Sequence, residues 1–214
     1  MRLDHVSYVA SHDQISDVVN RIGSQIGTAF MDGGIHPKFG TRNFTAPLLD
    51  GKYIEIVCPL DHPATDATPF GRAVKKKADE GGGWMTWVIA VQDIVAIETV
   101  LKRNSVDGVR KKPDGLELNW KQIGVLEVIE DSKTPFFIQW ISENHPSGDG
   151  NAVARLDKIV FQGKPSDLFL QLNLEEQLSL TGTKLIWGES NDKEIISGIN
   201  NIEIKLKDKI IQLS

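Results

Sequence analysis

Only one cysteine, Cys58, occurs in the chain. A lone thiol forms neither an intramolecular disulfide nor a thiolate zinc cluster, which fits a reducing cytoplasm. No apolar run approaches the roughly 18 residues needed to span a bilayer, so a membrane protein is not expected. The opening MRLDHVSYVA lacks the cationic stretch and long apolar segment of a secretory leader. Basic side chains are outnumbered, 24 against 29 acidic, for a formal charge of -5. That balance argues against a nucleic-acid partner. A phosphate loop, a dinucleotide fingerprint and a serine elbow are all absent. Cys58 has no nearby sequence partner for nucleophilic catalysis and reads as core.

The 214 residues are 40% hydrophobic and 25% charged, the composition of a folded rather than a disordered chain. Leu3 to Ala10 is apolar and β-branched and reads as a strand. Ser11 follows as a candidate cap. Ile15, Val18, Val19, Ile22 and Ile26 then recur at helical spacing until Gly27. Residues 32–41 are glycine-rich and read as an irregular loop. Two strands close the unit, Arg42 to Leu49 and Lys52 to Pro59, joined by Asp50-Gly51, a pair that tolerates positive φ.

Residues 61–82 form a connector. In it Thr68 and Pro69 suit the cap and first turn of a helix carrying Phe70, Ala73, Val74 and Ala78. The order then repeats over residues 83–145. Trp84 to Val91 reads as a strand, and Asp93 opens a helix with Ile94, Ile97, Val100 and Leu101. Pro113-Asp114-Gly115 is a turn, and Leu118 to Val125 and Pro135 to Ile141 are later strands. Ser147-Gly148-Asp149-Gly150 reads as a linker. A third start follows, where RLDKIVF at 155 echoes RLDHVSY at 2. Residues 153–214 are thus expected to form a partial third α+β module on the same core.

These words, in this order, resemble one family. LDHVSYVA, GGIHPKFGTRN, GKYIEIVCPLD, FGRAV and GGGWMTWVIAV are similar to the glyoxalase-like branch of the vicinal oxygen chelate superfamily. The likeness is best over residues 1–142. It implies an α+β fold of paired βαβββ modules, 1–60 and 83–145, whose curled mixed sheets enclose a cavity. It also implies a metal held by one residue from the first and one from the last strand of each module.

Carried over residue by residue, the resemblance gives His5 and Glu55 in the first module. The pattern itself marks both. His5 interrupts an apolar strand, and Glu55 alternates with Ile54 and Ile56, so it faces away from them. Together they could ligate a divalent ion or act as an acid–base pair. The plain alternative is a hydrogen-bonded core histidine beside a solvated glutamate. Matching TWVIAV and FFIQWI to the first module puts Thr86 where a second histidine is usual and Gln139 where a second carboxylate is usual. Thr86 and Gln139 supply no charge, so the expected metal site (His5, Glu55, Gln139) is degenerate. It would hold zinc, nickel, manganese or iron weakly, or no metal.

His36, Arg42 and Asn43 lie in the glycine-rich segment and suit a substrate loop, His36 also as a catalytic group or substitute ligand. The plain alternative there is a turn with a solvated Arg42. Trp84, Trp87, Trp120 and Trp140 could supply aromatic walls, with core packing the plain alternative for at least two of them, and Trp84 shares the face expected for Thr86. His62 and His145, each beside a proline, are expected to have no chemical role. Two functions follow from the resemblance. One is an enzyme of lyase, isomerase or dioxygenase type acting on a small oxygenated molecule, with Glu55 as base. The other is a binding or sequestering protein of the same fold. A homodimer is compatible with either.

Overall fold

The computed structural model describes residues 1–178, 181–188 and 198–214, so 179–180 and 189–197 of the third expected module lie outside the described residues. The first unit runs β1 (Arg2–Val9), α1 (Ile15–Ile26), β2 (Met31–His36), β3 (Thr41–Leu48) and β4 (Lys52–Pro59). A connector holds α2 (Pro63–Ala67) and α3 (Pro69–Asp79). The second unit runs β5 (Gly83–Ala90), α4 (Val95–Leu101), β6 (Val106–Lys111), β7 (Glu117–Ile123), α5 (Val125–Glu130) and β8 (Phe136–Trp140). The described remainder is β9 (Arg155–Gln162), α6 (Asp167–Gln171), α7 (Leu174–Leu178), β10 (Lys184–Gly188), β11 (Gly198–Lys205) and β12 (Ile210–Leu213).

The first eight strands close into one barrel in the order β1-β4-β3-β2-β6-β7-β8-β5. Within each half the first strand runs parallel to the last, β1 with β4 and β5 with β8. The halves meet antiparallel along β1 and β5, and again at Ile35 and Lys111 of β2 and β6. Closure leaves the barrel no open edge. The α+β fold of paired, curled mixed sheets is therefore present. The last four strands form a separate mixed sheet in the order β10-β9-β11-β12. Its strand parallel to β9 is the next in sequence, β10, whereas β1 lies parallel to the fourth strand of its own unit. The RLDK echo thus begins a strand, as RLDH does, but the strands after it are ordered differently.

Alternation along the strands divides the side chains between two cores. Ile54, Ile56 and Cys58 of β4 face outward, onto Ile22 and Ile26 of α1 and a layer that includes Leu156, Ile159, Phe161, Ile202 and Ile204. A second cluster holds Phe39, Phe70, Val74, Met85, Val88, Trp120, Phe136 and Ile138. Helix α3 brings Phe70 and Val74 into it. That helix starts as expected, with Thr68 Oγ1 accepting from Gly71 N at 3.2 Å and Pro69 in the first turn.

Several local readings need correction. Residues 31–36 are strand β2, not loop, because β3 pairs with them and a bulge between Asp32 and Gly34 absorbs the irregular spacing. Ser11 does not cap α1; Gln14 occupies the cap position with no side-chain bond. Strand β7 ends at Ile123. Gly124, at φ 110°, turns the chain into α5, which extends to Glu130 and has no counterpart in the sequence reading. Strand β6 was likewise not anticipated. His62 caps α2, its Nδ1 accepting from Ala64 N at 3.1 Å.

Candidate functional site

One small cavity lies within the barrel. His5, His36, Asn43, Tyr53, Glu55 and Arg110 line it, with an apolar wall that includes Phe70, Trp120, Phe136 and Trp140. The free space is about 30 Å³ for the centre of a water-sized sphere. Larger clefts lie on the surface, but they gather no comparable set of buried titratable groups.

The polar wall is built from alternate residues of adjacent strands. Glu55 of β4 pairs with Ser7 of β1 on one side and Thr45 of β3 on the other. Ser7 Oγ donates to Glu55 Oε2 at 2.6 Å, and Asn43 Nδ2 donates to Oε1 at 2.7 Å. Burial alone would raise the Glu55 pKa. Electrostatic attraction to the imidazoles of His5 and His36 in their protonated forms, with the two hydrogen bonds, outweighs it and holds the carboxyl below its usual range. Glu55 is therefore a buried carboxylate at neutral pH.

His5 approaches it, with Nε2 at 3.9 Å from Glu55 Oε2. The imidazole stacks on the Tyr53 ring at 4.3 Å between centroids. Its other nitrogen, Nδ1, lies 3.0 Å from Asp4 Oδ2. Asp4 also accepts from His145 Nε2 at 3.0 Å, Trp140 Nε1 at 3.2 Å and Arg2 Nη2 at 2.6 Å. Burial would raise the Asp4 pKa, but its bonds to His145 and His5 prevail and hold it far below the usual carboxylate range. An ionised Asp4 only accepts, so the proton of a neutral His5 sits on Nδ1 and Nε2 keeps its lone pair. His145 thereby helps to hold Asp4 in place.

Asp4 and His5 are adjacent in sequence, yet both reach the polar interior. The pairing of β1 with β5 explains this: Leu3 faces Ile89 and His5 faces Val88, leaving Asp4 as an extra residue in a bulge. No alternation rule would have put Asp4 beside His5, and the sequence reading missed it.

His36 Nδ1 lies 2.8 Å from Thr41 Oγ1. Burial pushes the His36 pKa down to about 4, with repulsion from Arg110 and His5 adding to the effect and Glu55 opposing it, so this ring is neutral at pH 7.

Arg110 was also missed, because β6 was not read as a strand. Its side chain is only 2% exposed, and Nε and Nη2 have no hydrogen-bond partner. The described ion-pair contact is Nη2 to Asp149 Oδ2 at 3.9 Å. Asp149 is itself held by Lys112 Nζ, at 3.0 and 3.1 Å.

Of the residues named from sequence, His5, Glu55, His36, Asn43, Trp120 and Trp140 line the cavity. The others do not. Arg42 alternates with Asn43, pairs with Asp32 and lies over the Phe44 ring, on the outer side of β3. Gln139 faces outward between the inward Ile138 and Trp140, its Oε1 accepting from Ile94 N at 3.0 Å. Thr86 is buried against β1, opposite Ser7, and is not a cavity-lining residue. Trp84 donates to Leu213 O at 3.0 Å and packs in the outer core. A bulge at Met85, where Tyr8 faces Trp84 and Ser7 faces Thr86, breaks the face shared by Trp84 and Thr86.

Strand register also relocates the second half-site. His5 pairs with Tyr53 and Ser7 with Glu55; correspondingly, Val88 pairs with Phe136 and Ala90 with Ile138. Val88 and Ile138 thus stand where a second histidine and carboxylate would be, one residue out of step with the sequence match at Gln139. The donor set does not fit a four-ligand dication centre. Both Glu55 oxygens are engaged, the opposite half offers aliphatic side chains, and a buried guanidinium adds positive charge. Among the described residues, no three His, Cys, Asp or Glu side chains form a metal-binding group.

Comparison with known proteins follows the same lines. The model of a family described as glyoxalase-like domain matches residues 3–174. No curated protein sequence matches the chain. A hypothetical protein from Staphylococcus aureus is similar in structure, with TM-score 0.57 and 16% identity, over 99% of this chain and 84% of that one. Methylmalonyl-CoA epimerase from Mycobacterium tuberculosis matches at TM-score 0.42 and 13% identity, over 64% of this chain and 85% of its own. The Streptomyces coelicolor methylmalonyl-CoA epimerase in complex with 2-nitronate-propionyl-CoA reaches TM-score 0.44 and 14% identity, over 67% and 99%. At these identities the likeness speaks to fold alone, and the two epimerase matches are too distant to carry an argument. No helix among the described residues is long and apolar enough to cross a membrane.

Proposed function

This chain belongs to the glyoxalase-like domain family, and from that premise we propose that its barrel cavity binds a small oxygenated organic molecule and moves a proton on it. The observation that carries the reading is the buried sequence Asp4–His5–Glu55. Asp4 Oδ2 lies 3.0 Å from His5 Nδ1, which leaves Nε2 as the basic nitrogen of the neutral ring, and Glu55 Oε2 stands 3.9 Å from Nε2.

In this reading His5 Nε2 takes a proton from the carbon next to a carbonyl group. The electron pair left behind moves onto the oxygen as an enolate. The imidazolium that forms lies between two buried carboxylates, Asp4 and Glu55, which stabilise it. Returning the proton to a different carbon or to the opposite face gives an isomerase; expelling a leaving group gives a lyase. Both outcomes use the same first step. His36, neutral at pH 7, serves as a hydrogen-bonding wall rather than as a charge.

The test is deuterium incorporation. Small 2-oxo and 2-hydroxy carbonyl compounds are incubated with the protein in D₂O and followed by proton NMR. Exchange next to the carbonyl is expected in the wild type, with a loss of roughly 10²–10⁴-fold in His5→Gln. Exchange at the same rate in His5→Gln and Glu55→Gln as in the wild type would sink the reading.

A second reading, a binding protein without chemistry, is favoured by one observation. Glu55 is saturated by Ser7 and Asn43 and its pKa is depressed, which makes the carboxylate itself a poor base. Ligand binding with no exchange for any bound compound would support that reading.

A further inference from the structure

We infer that Arg110 is the docking group for the carboxylate of a small organic acid bound in the barrel. The inference deepens the proposed function, resting on it for the cavity but not for the proton transfer. Arg110 lines the cavity with 2% of its side chain exposed. Taking a guanidinium out of water is costly unless charge-assisted hydrogen bonds replace its hydration. Here none do, since both Nε and Nη2 lack partners. A guanidinium presents paired N–H groups that match the two oxygens of a carboxylate.

The surroundings narrow the ligand further. Asp149, the nearby acidic group, is 3.9 Å from Nη2 and already neutralised by Lys112, so it does not satisfy Arg110. Glu55 places a second negative charge on the cavity wall, which disfavours a dianionic phosphate more than a monoanionic carboxylate. Phe70, Phe136, Trp120 and Trp140 form an apolar wall for a short carbon chain. Asn43 adds a buried Oδ1 without a donor, ready to accept from a ligand hydroxyl. Gly33 keeps this corner open. A Cβ there would stand 2.1 Å from Asn43 Oδ1 and 3.0 Å from Arg110 Nη1.

The experiment uses propanoate and 2-hydroxypropanoate as probes, with propanamide as the uncharged control of similar shape. Quenching of tryptophan fluorescence reports binding, since Trp120 and Trp140 line the cavity, and thermal shift checks it. Both acids should bind and the amide should not. Arg110→Met should weaken the acids at least about tenfold, and Arg110→Lys, which keeps charge but loses the fork, should fall between. If Arg110→Met does not fold, Arg110→Lys decides alone. Asp149→Asn should leave acid binding intact or stronger. Unchanged binding in the Arg110 variants overturns the inference, as does equal binding of acid and amide or no acid binding at all. A loss in Asp149→Asn matching that in Arg110→Met also overturns it, by showing that Arg110 serves Asp149. Acid binding without deuterium exchange leaves this inference standing and sinks only the proton-transfer reading.

Discussion

Asp4 and His5 are consecutive residues of one strand, and their side chains are hydrogen-bonded to each other at 3.0 Å inside the protein. Neighbours in a regular strand point to opposite faces. The bulge at Asp4 removes that restriction, and it gives the imidazole a fixed tautomer. Asp4 is fully buried and accepts from four side chains, so it orders both ends of the site.

Replacing Asp4 tests that role. Asp4→Ala leaves Arg2, His5, His145 and Trp140 without their acceptor, and stability should drop by about 3 kcal/mol or more in urea denaturation. Asp4→Asn should be milder but should change the ¹⁵N shifts of His5, because Nδ1 loses its carboxylate partner. Unaltered His5 shifts in Asp4→Asn would show that the bond does not set the tautomer.

Acid should destabilise the protein in a window set by His36. Its folded pKa of about 4 lies below the ordinary 6.5, so the unfolded chain binds the extra proton first. The stabilisation is complete above pH 6.5 and is lost as pH falls towards 4, about 3 kcal/mol in total. The paired carboxylates Asp4 and Glu55, with lowered pKa values, lose their contribution only at lower pH. Stability measured from pH 7 to 4 should flatten in His36→Gln; an unchanged slope would remove His36 as the cause.

Gly33→Ala should disturb the cavity without touching the outer core. The added methyl would overlap Asn43 Oδ1, at 2.1 Å, and push Asn43 and Arg110 apart. A stability loss of about 1–3 kcal/mol is expected, together with loss of the fluorescence response to propanoate. Retention of a full response would mean that Asn43 and Arg110 need not meet over this residue.

Purified protein should hold no stoichiometric divalent ion, as metal analysis without chelators would show. The register of β5 and β8 names the positions that would change this. Val88→His with Ile138→Glu should raise affinity for zinc, nickel or manganese, because both side chains face inward. Thr86→His with Gln139→Glu, the pair that sequence matching suggests, should not, because Gln139 points away from the cavity. Tight metal in the unmodified protein, released on Glu55→Ala, would refute this prediction.

The sequence alone determined the elements with strong local signals. Period-two alternation in YIEIV put Glu55 opposite Ile54 and Ile56, and β4 does face that way. Asp50-Gly51 made its turn with φ of 63° and 69°, and Thr68-Pro69 began its helix, because caps and turns depend on a few neighbouring residues. His5, Glu55, His36 and Asn43 were legible as polar interruptions or as parts of family words. What the sequence could not show was register. Bulges at Asp4 and Met85 each add a residue on one strand only, and a shift of one residue moves a side chain to the other face. The first bulge brought Asp4 in and the second turned Trp84 outward, while the pairing of β8 with β5 set Ile138 rather than Gln139 on the cavity side. Arg110 was invisible for a related reason. Nothing local distinguishes it from the solvated Lys111 beside it, and only closure of the barrel, pairing β6 with β2 and β7, buried one cation and left the other in water.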